Sequence, residues 1–160
     1  MSRTLSPETI ATVKATGAAL QQHGLAITTR MYERLFVNPE VKGLFDMAAQ
    51  ESGEQPRRLA AAILGYAQNI DKLQNLTPVV ERMVARHVET GVKAEHYPYA
   101  AEALLPAIRD VLGADVATDA VLDAWGQAYW FLADLLIAAE AARYAELAGE
   151  GAGEGELVDA

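Results

Sequence analysis

His87 is the side chain whose chemistry is least explained by its neighbours in the sequence. In the helix predicted around it, Val80, Met83, Val84 and His87 share one face, and the nearby positions on that face are apolar. A neutral imidazole directed into an apolar crevice is a good axial ligand for haem iron. The alternative is a core histidine satisfied by a backbone carbonyl, and for this residue alone that is the more common case.

Several other chemistries lack the residues that they need. The chain has no cysteine, which excludes thiolate ligands, disulfides and a cysteine nucleophile. His23, His87 and His96 are not preceded by glutamate three positions upstream, as a di-iron carboxylate bundle would require. The motifs H-E-x-x-H and G-x-S-x-G and a phosphate-binding glycine loop are also missing. Zinc and hydrolytic catalysis therefore have little support.

The composition is that of a folded, acidic protein. A chain of 160 residues with 51% hydrophobic and 22% charged residues predicts one globular domain with a substantial core. Its net charge of −9 disfavours binding to nucleic acid or to anionic membranes. The N-terminus lacks the apolar segment of a secretory signal, and the most apolar stretch, 130–139, is too short to span a bilayer. We therefore expect a cytoplasmic protein without membrane insertion.

Helical periodicity, broken by Gly, Pro, Asn and Thr, predicts an all-α protein. The first helix is expected from a Ser6 cap to about His23, and the second from Gly24 to the break at Asn38-Pro39, which a short helical turn follows. Later helices are expected over about 56–72, 77–91, 98–112 and from 118 onward. Residues 46–54 are polar and expected to be mobile. The Gly- and acid-rich tail, 149–160, has no hydrophobic face and is predicted to be disordered.

Several motifs, which occur in a fixed order, are together typical of one protein family. They are Met31-Tyr32-Glu33-Arg34-Leu35-Phe36, Leu44-Phe45-Asp46-Met47, Gln55-Pro56 with Leu59, His87, His96-Tyr97-Pro98 and Trp125-Gly126-Gln127-Ala128-Tyr129. With them, residues 5–147 resemble the globin domain of bacterial flavohaemoglobins and the related single-domain bacterial haemoglobins. The resemblance implies a globin fold over residues 1–148, with helices packed three-on-three around haem b (iron protoporphyrin IX).

The resemblance also assigns roles on the proximal side of the haem. His87 corresponds to the residue that ligates the iron. Tyr97 and Glu140 correspond to the pair that orients His87, in which the carboxylate accepts the remaining ring N–H and pushes the ligand towards imidazolate. From spacing alone, Glu140 would be a solvated glutamate on the last helix. Arg86 could pair with a haem propionate, although an exposed arginine is the ordinary case.

On the distal side, Tyr32 corresponds to the tyrosine whose hydroxyl donates a hydrogen bond to the gas ligand. Phe45 corresponds to the aromatic ring wedged against the haem, and Leu59 to the apolar residue over the ligand. Gln55 corresponds to a second distal polar group. Pro56 disfavours helical geometry in the residue before it. We therefore expect a helix to start at Pro56 and Gln55 to lie at its flexible edge.

The function implied by the resemblance is O2 binding, with nitric oxide dioxygenation, the conversion of NO and O2 to nitrate, as the first hypothesis. Nothing after Leu147 could bind flavin or nicotinamide, so we expect a separate flavin reductase to return the electron and no reductase domain in this chain. An O2 carrier that supplies respiration, or a haem-based gas sensor, would use the same site residues. A haem-free interaction module is a third class. The Ala-rich last helix could also form a homodimer interface.

Overall fold

The computed structural model of the chain describes residues 5–44 and 52–159, with side chains described as far as residue 149. Its helices are α1 (Pro7–Ala15), α2 (Gly17–Leu35), α3 (Pro39–Lys42), α4 (Glu54–Gln68), α5 (Thr77–Thr90), α6 (Tyr97–Leu112) and α7 (Asp119–Asp159). Short 3-10 helices, Leu73–Leu76 and Ala94–His96, precede α5 and α6. These ranges contain no strand, as the helical periodicity predicts.

Most helix ends coincide with capping residues that the sequence displays. The Ser6 side chain accepts a hydrogen bond at the start of α1, and Asn38 does the same for α3. Helices α5 and α6 stop at Gly91 and Gly113, which have φ angles of 87° and 82°. A side chain at either position would be strained, so glycine ends these helices for a local reason.

The boundary between the first two helices differs from the prediction. It lies at Thr16, and α2 continues through Gly24, where we expected a break. The buried Thr16 hydroxyl donates to the Val13 carbonyl at 2.6 Å and accepts from the Trp125 indole nitrogen at 2.9 Å. This contact with α7 spans 109 positions of the chain, so the local pattern could not reveal it.

Gly24 is instead a point of close contact between helices. A Cβ atom added there would lie 3.5 Å from the Cβ of Ala60 on α4. That distance is an ordinary van der Waals contact, so α2 and α4 pack directly against each other at Gly24. Glycine in a helical pattern is ambiguous between a helix end and a packing position, and here packing decides.

The helices form two layers around one core. Helices α2, α6 and α7 lie side by side, α4 packs across α2, and α1 and α5 pack across α7. Ile27 on α2 and Ala107 and Ile108 on α6 are at most 2% exposed and belong to the core. The Tyr66 hydroxyl on α4 donates to the Ala128 carbonyl on α7 at 2.8 Å, which joins the layers with a buried hydrogen bond. This arrangement is the predicted three-on-three packing.

The last helix continues beyond the residues that form its apolar face. Its backbone is helical to Asp159, whereas the composition predicts a disordered tail over 149–160. Described side chains end at residue 149, and the disorder of the tail stays a prediction. Among the described residues, no helix combines the length and apolar character required to cross a bilayer.

Candidate functional site

Helix α5 carries His87 and leaves its apolar face incompletely covered. Thr77 and Pro78 open the helix and Gly91 ends it, as the sequence predicts. None of its residues is buried, although Val80 and Met83 are half-buried against the core. Helices α4 and α5 are not among the closely packed pairs in the described part of the chain. The apolar face of α5 is therefore only half-buried, and close packing against α4 does not cover it.

His87, Glu140 and Tyr97 form a hydrogen-bonded triad that joins α5, α6 and α7. The His87 Nδ1 atom lies 2.7 Å from Glu140 Oε2 and 3.1 Å from the Tyr97 hydroxyl. Tyr97 donates to Glu140 Oε1 at 2.6 Å. The Glu140 residue is 2% exposed, so its carboxylate is buried and satisfied by these donors. The expectation from spacing alone, a solvated glutamate, is wrong at this position.

The triad determines which imidazole nitrogen can bind a metal. An ionised carboxylate only accepts hydrogen bonds, so His87 Nδ1 carries the ring proton. Nε2 of the neutral ring then holds a lone pair, and the 28% exposed fraction of this side chain leaves it accessible. Burial, reinforced by the bond to Glu140, raises the pKa of the Tyr97 phenol well above its ordinary value. Tyr97 therefore stays protonated and remains a donor to the carboxylate.

Tyr32 and Gln55 form a second polar pair, on α2 and α4. The Tyr32 residue is 5% exposed, and its hydroxyl accepts a long hydrogen bond from Gln55 Nε2 at 3.4 Å. Its ring also contacts Phe36, with 5.4 Å between the ring centroids. Leu59 lies one helical turn after Gln55, half-buried against the core. The structure thus brings these two polar side chains together beside apolar groups.

The helix that carries Gln55 begins two residues before its expected start at Pro56, and Gln55 lies near its edge. Helix α4 begins at Glu54, after Gly53 with a φ angle of 79°, and Gln55 lies inside its first turn. The first four N–H groups of a helix have no partner within it, so the missing N–H of Pro56 removes no intrahelical bond. Pro56 therefore lies within the first turn of α4 and does not begin the helix.

The remaining predicted positions are less informative. Phe45 lies outside the described residues. Arg86 is exposed on α5 and makes no ion pair among the described side chains. His23 is exposed, whereas His96 is buried and its Nδ1 accepts from the Lys93 N–H at 2.9 Å, as a capping residue does.

His96 also has carboxylates near its second nitrogen. Nε2 lies 3.7 Å from a Glu40 oxygen and 3.8 Å from a Glu95 oxygen. Because Nδ1 accepts the backbone N–H, Nε2 of the neutral ring carries a proton. A metal ion would have to displace that proton, so this cluster is better explained as a capping histidine that donates towards carboxylates.

Two tyrosines of α7, to which the sequence analysis assigned no role, hold the backbone around the triad. The Tyr129 hydroxyl donates to the Tyr97 carbonyl at 2.6 Å. The Tyr144 hydroxyl donates to the Val92 carbonyl at 2.7 Å. Tyr129 and Tyr144 lie about three turns before and one turn after Glu140, so helical spacing places all three near one face of α7. This helical spacing is the sequence signal that could have identified the two tyrosines.

The residues of this region fit a haem group. His87 presents an accessible nitrogen with a lone pair, and its other nitrogen is held by a carboxylate, as in many metal-binding histidines. Half-buried apolar side chains lie on both helices, Leu59 and Ile63 on α4 and Val84 on α5. A flat, largely apolar macrocycle has the chemistry to pack against such side chains. Fold and donor set together define an all-α protein whose accessible histidine has the chemistry of a haem ligand.

Comparisons with known proteins assign this class to a family. The globin family matches residues 29–136, and the chain belongs to it. The chain is 50% identical over 136 residues to a flavohemoprotein of Xylella fastidiosa and 51% identical over 136 residues to one of Pseudomonas aeruginosa. These matches cover 85% and 84% of this chain but 34% and 35% of the relatives. The chain therefore spans about a third of the length of these flavohemoproteins.

Solved structures show the same fold at similar length. A globin from Campylobacter jejuni is 41% identical with a TM-score of 0.80, covering 87% of this chain and 99% of that one. An engineered carbene transferase, made from a Rhodothermus marinus protein that is described as a nitric oxide dioxygenase, is 45% identical with a TM-score of 0.84. That match covers 91% of this chain and 99% of the other. The globin fold is thus established, and membership of this family implies haem binding.

Proposed function

We propose that the protein is a haem-dependent nitric oxide dioxygenase that receives electrons from a separate flavin reductase. The observation that carries this proposal is the buried triad of His87, Glu140 and Tyr97. The proposed cofactor is haem b, held by Nε2 of His87. When bound, haem supplies the iron at which O2 and NO react; the residues described below would set the environment of that chemistry.

The triad favours chemistry over simple gas storage. A buried carboxylate that accepts the Nδ1 proton increases the electron density on Nε2, and electron donation from the proximal side favours O2 activation. Glu140 is shielded from water, so its charge acts on the His87 ring with little screening. Tyr97 prevents the carboxylate from turning away, because it donates to the oxygen that His87 does not contact.

Tyr32 would act on the opposite side of the cofactor. Its hydroxyl is held in a mostly apolar environment, where a hydrogen bond to developing negative charge is stronger than in water. In the contact with Gln55 the tyrosine oxygen is the acceptor, so that contact does not use the phenolic proton. We assign Tyr32 as the donor to the gas ligand and Gln55 as the group that orients it. Leu59 would exclude water from this side, and Arg86 would approach a haem propionate.

The proposed reaction needs one electron in each cycle. NO and O2 combine with one electron to give nitrate, and the electron must come from a flavin-containing reductase that uses a nicotinamide cofactor. The similarity to the R. marinus protein, which is described as a nitric oxide dioxygenase, supports this activity. O2 storage is the competing function, since it would use the same Tyr32 and His87 without turnover. Both functions fit the cytoplasmic location expected from the sequence.

A test starts with two histidine variants. His87→Ala should lose the Soret absorption of the purified protein, whereas His23→Ala, a change at an exposed position, should keep it. The oxygenated wild-type protein is then mixed with NO, NADH and a flavin reductase, and nitrate is measured. Many nitrate molecules per haem support the proposal. A single equivalent with no recovery by reductase identifies O2 storage, and a wild-type protein without a Soret band refutes both.

A further inference from the structure

Tyr144 contacts the backbone at the end of the His87 helix. Its hydroxyl donates to the Val92 carbonyl at 2.7 Å and lies 3.5 Å from the carbonyl of His87 itself. Tyr144 is one helical turn after Glu140 on α7, so both side chains extend from the same face of that helix towards α5. Helix α7 therefore contacts His87 at two points, the ring and the main chain.

The segment that Tyr144 contacts is the turn that closes α5. The Val92 N–H donates to the His87 carbonyl at 2.8 Å, and Gly91 between them has a φ angle of 87°. Such a turn ties the last helical residues to the chain that follows them. The carbonyl of His87 accepts the hydrogen bond that closes this turn. Any movement of the turn relative to α7 therefore moves the backbone that carries the imidazole.

Apolar packing holds this end of α5 through half-buried side chains, among them Val84 and Val92. The helix has no buried residue, so apolar packing restrains it less than it restrains α2 or α6. The hydrogen bond that His87 Nδ1 donates to Glu140 fixes the ring but leaves the distance and tilt of the helix axis free to adjust. A second attachment on the main chain removes that freedom.

We propose that Tyr144 is a positioning residue for His87: it sets the main chain of the ligand while Glu140 sets its ring. This inference rests on the proposed role of His87 as the proximal haem ligand. Without the Tyr144 hydroxyl, α5 can shift relative to the carboxylate, and the iron–histidine bond then samples a wider range of geometries. The residue acts through His87 and has no direct contact with a reacting group.

The test uses Tyr144→Phe with Tyr99→Phe as its control. Both changes remove one phenolic hydroxyl, but Tyr99 is 38% exposed on α6 and makes no hydrogen bond among the described residues. In the haem-free protein, amide hydrogen exchange over residues 91–93 should become about five-fold faster in Tyr144→Phe, the effect of losing one hydrogen bond. In the haem-loaded protein, resonance Raman spectroscopy should show the iron–histidine stretching band shifted to lower wavenumber and broadened.

The two measurements separate the possible failures. If exchange is faster but the Raman band is the same as in the wild type, Tyr144 has a structural role only and the inference is overturned. If neither changes, or if Tyr99→Phe changes both equally, it is also overturned. A wild-type protein that binds no haem would refute the proposed function; the exchange rates in that protein would still show whether Tyr144 holds the turn after His87.

Discussion

Replacing Glu140 with glutamine tests how the triad works, because the change is nearly isosteric and removes only the charge and one acceptor. The carboxylate accepts from His87 Nδ1 at 2.7 Å and from Tyr97 at 2.6 Å. Glutamine keeps one oxygen, so it can accept from one of these donors. Its NH2 group would face the other donor, and that hydrogen bond is lost.

The expected loss of stability follows from these two bonds. A hydrogen bond to a charged group contributes about 1.5–3 kcal/mol, and a neutral one about 1 kcal/mol. The variant loses one charged bond and weakens the other, but it no longer has to bury a carboxylate, which offsets part of the loss. We therefore expect Glu140→Gln to lower the free energy of unfolding by about 1–3 kcal/mol.

Urea unfolding of the haem-free protein, followed by circular dichroism, measures this change. Glu146→Gln on the same helix is the control, since its exposed ion pair with Arg143 should contribute less than about 1 kcal/mol. In the haem-loaded protein, the iron–histidine Raman band of Glu140→Gln should shift to lower wavenumber, because Nε2 becomes a weaker donor. A stability loss no larger than that of the control, with an unshifted band, would refute the proposed electronic role of Glu140.

Three further outcomes are expected. Tyr32→Phe should speed O2 dissociation by about ten- to hundred-fold, the loss of roughly 1.5–3 kcal/mol, and Gln55→Leu markedly less, measured by stopped flow; the reverse order would show that the glutamine is the main donor. Gly91→Ala should cost about 1 kcal/mol in urea unfolding because its φ angle is 87°, whereas Gly65→Ala, with open space at its Cβ position, should be neutral or stabilising; equal effects would contradict the left-handed cap. The raised pKa of Tyr97 favours the folded state below about pH 10, and this contribution is lost as the pH rises further. Tyr97→Phe should therefore be less stable at neutral pH, but its free energy of unfolding should fall less steeply in alkali than that of the wild type. Parallel plots of unfolding free energy against pH would exclude this linkage.

Features that depend on short stretches of chain could be predicted from the sequence. The helical period, the Asn38 and Ser6 caps and the glycines that end α5 and α6 all act within a few residues of themselves. For this reason the all-α class and most of the helix ends are confirmed. The family resemblance, which combines several such motifs, also predicted the globin fold that the comparisons establish.

Other features depend on contacts that the chain makes at long range. The boundary residue Thr16 accepts a hydrogen bond from Trp125, and Gly24, within α2, packs against Ala60. Pro56 fits within the first turn of α4 because the helix begins at Glu54, two residues earlier than expected. A local pattern contains propensities for each outcome but not the neighbour that selects between them.

The site divides in the same way. The sequence by itself determined that a histidine lies on an apolar helix face, without cysteine or a second histidine in place to serve as an alternative ligand. Only the tertiary structure decided that Glu140, 53 positions away, is buried against its ring and that Tyr144 reaches its main chain. The reason is physical: a carboxylate is stable inside a protein only where donors from other helices surround it, and the packing of α5, α6 and α7 brings those donors together.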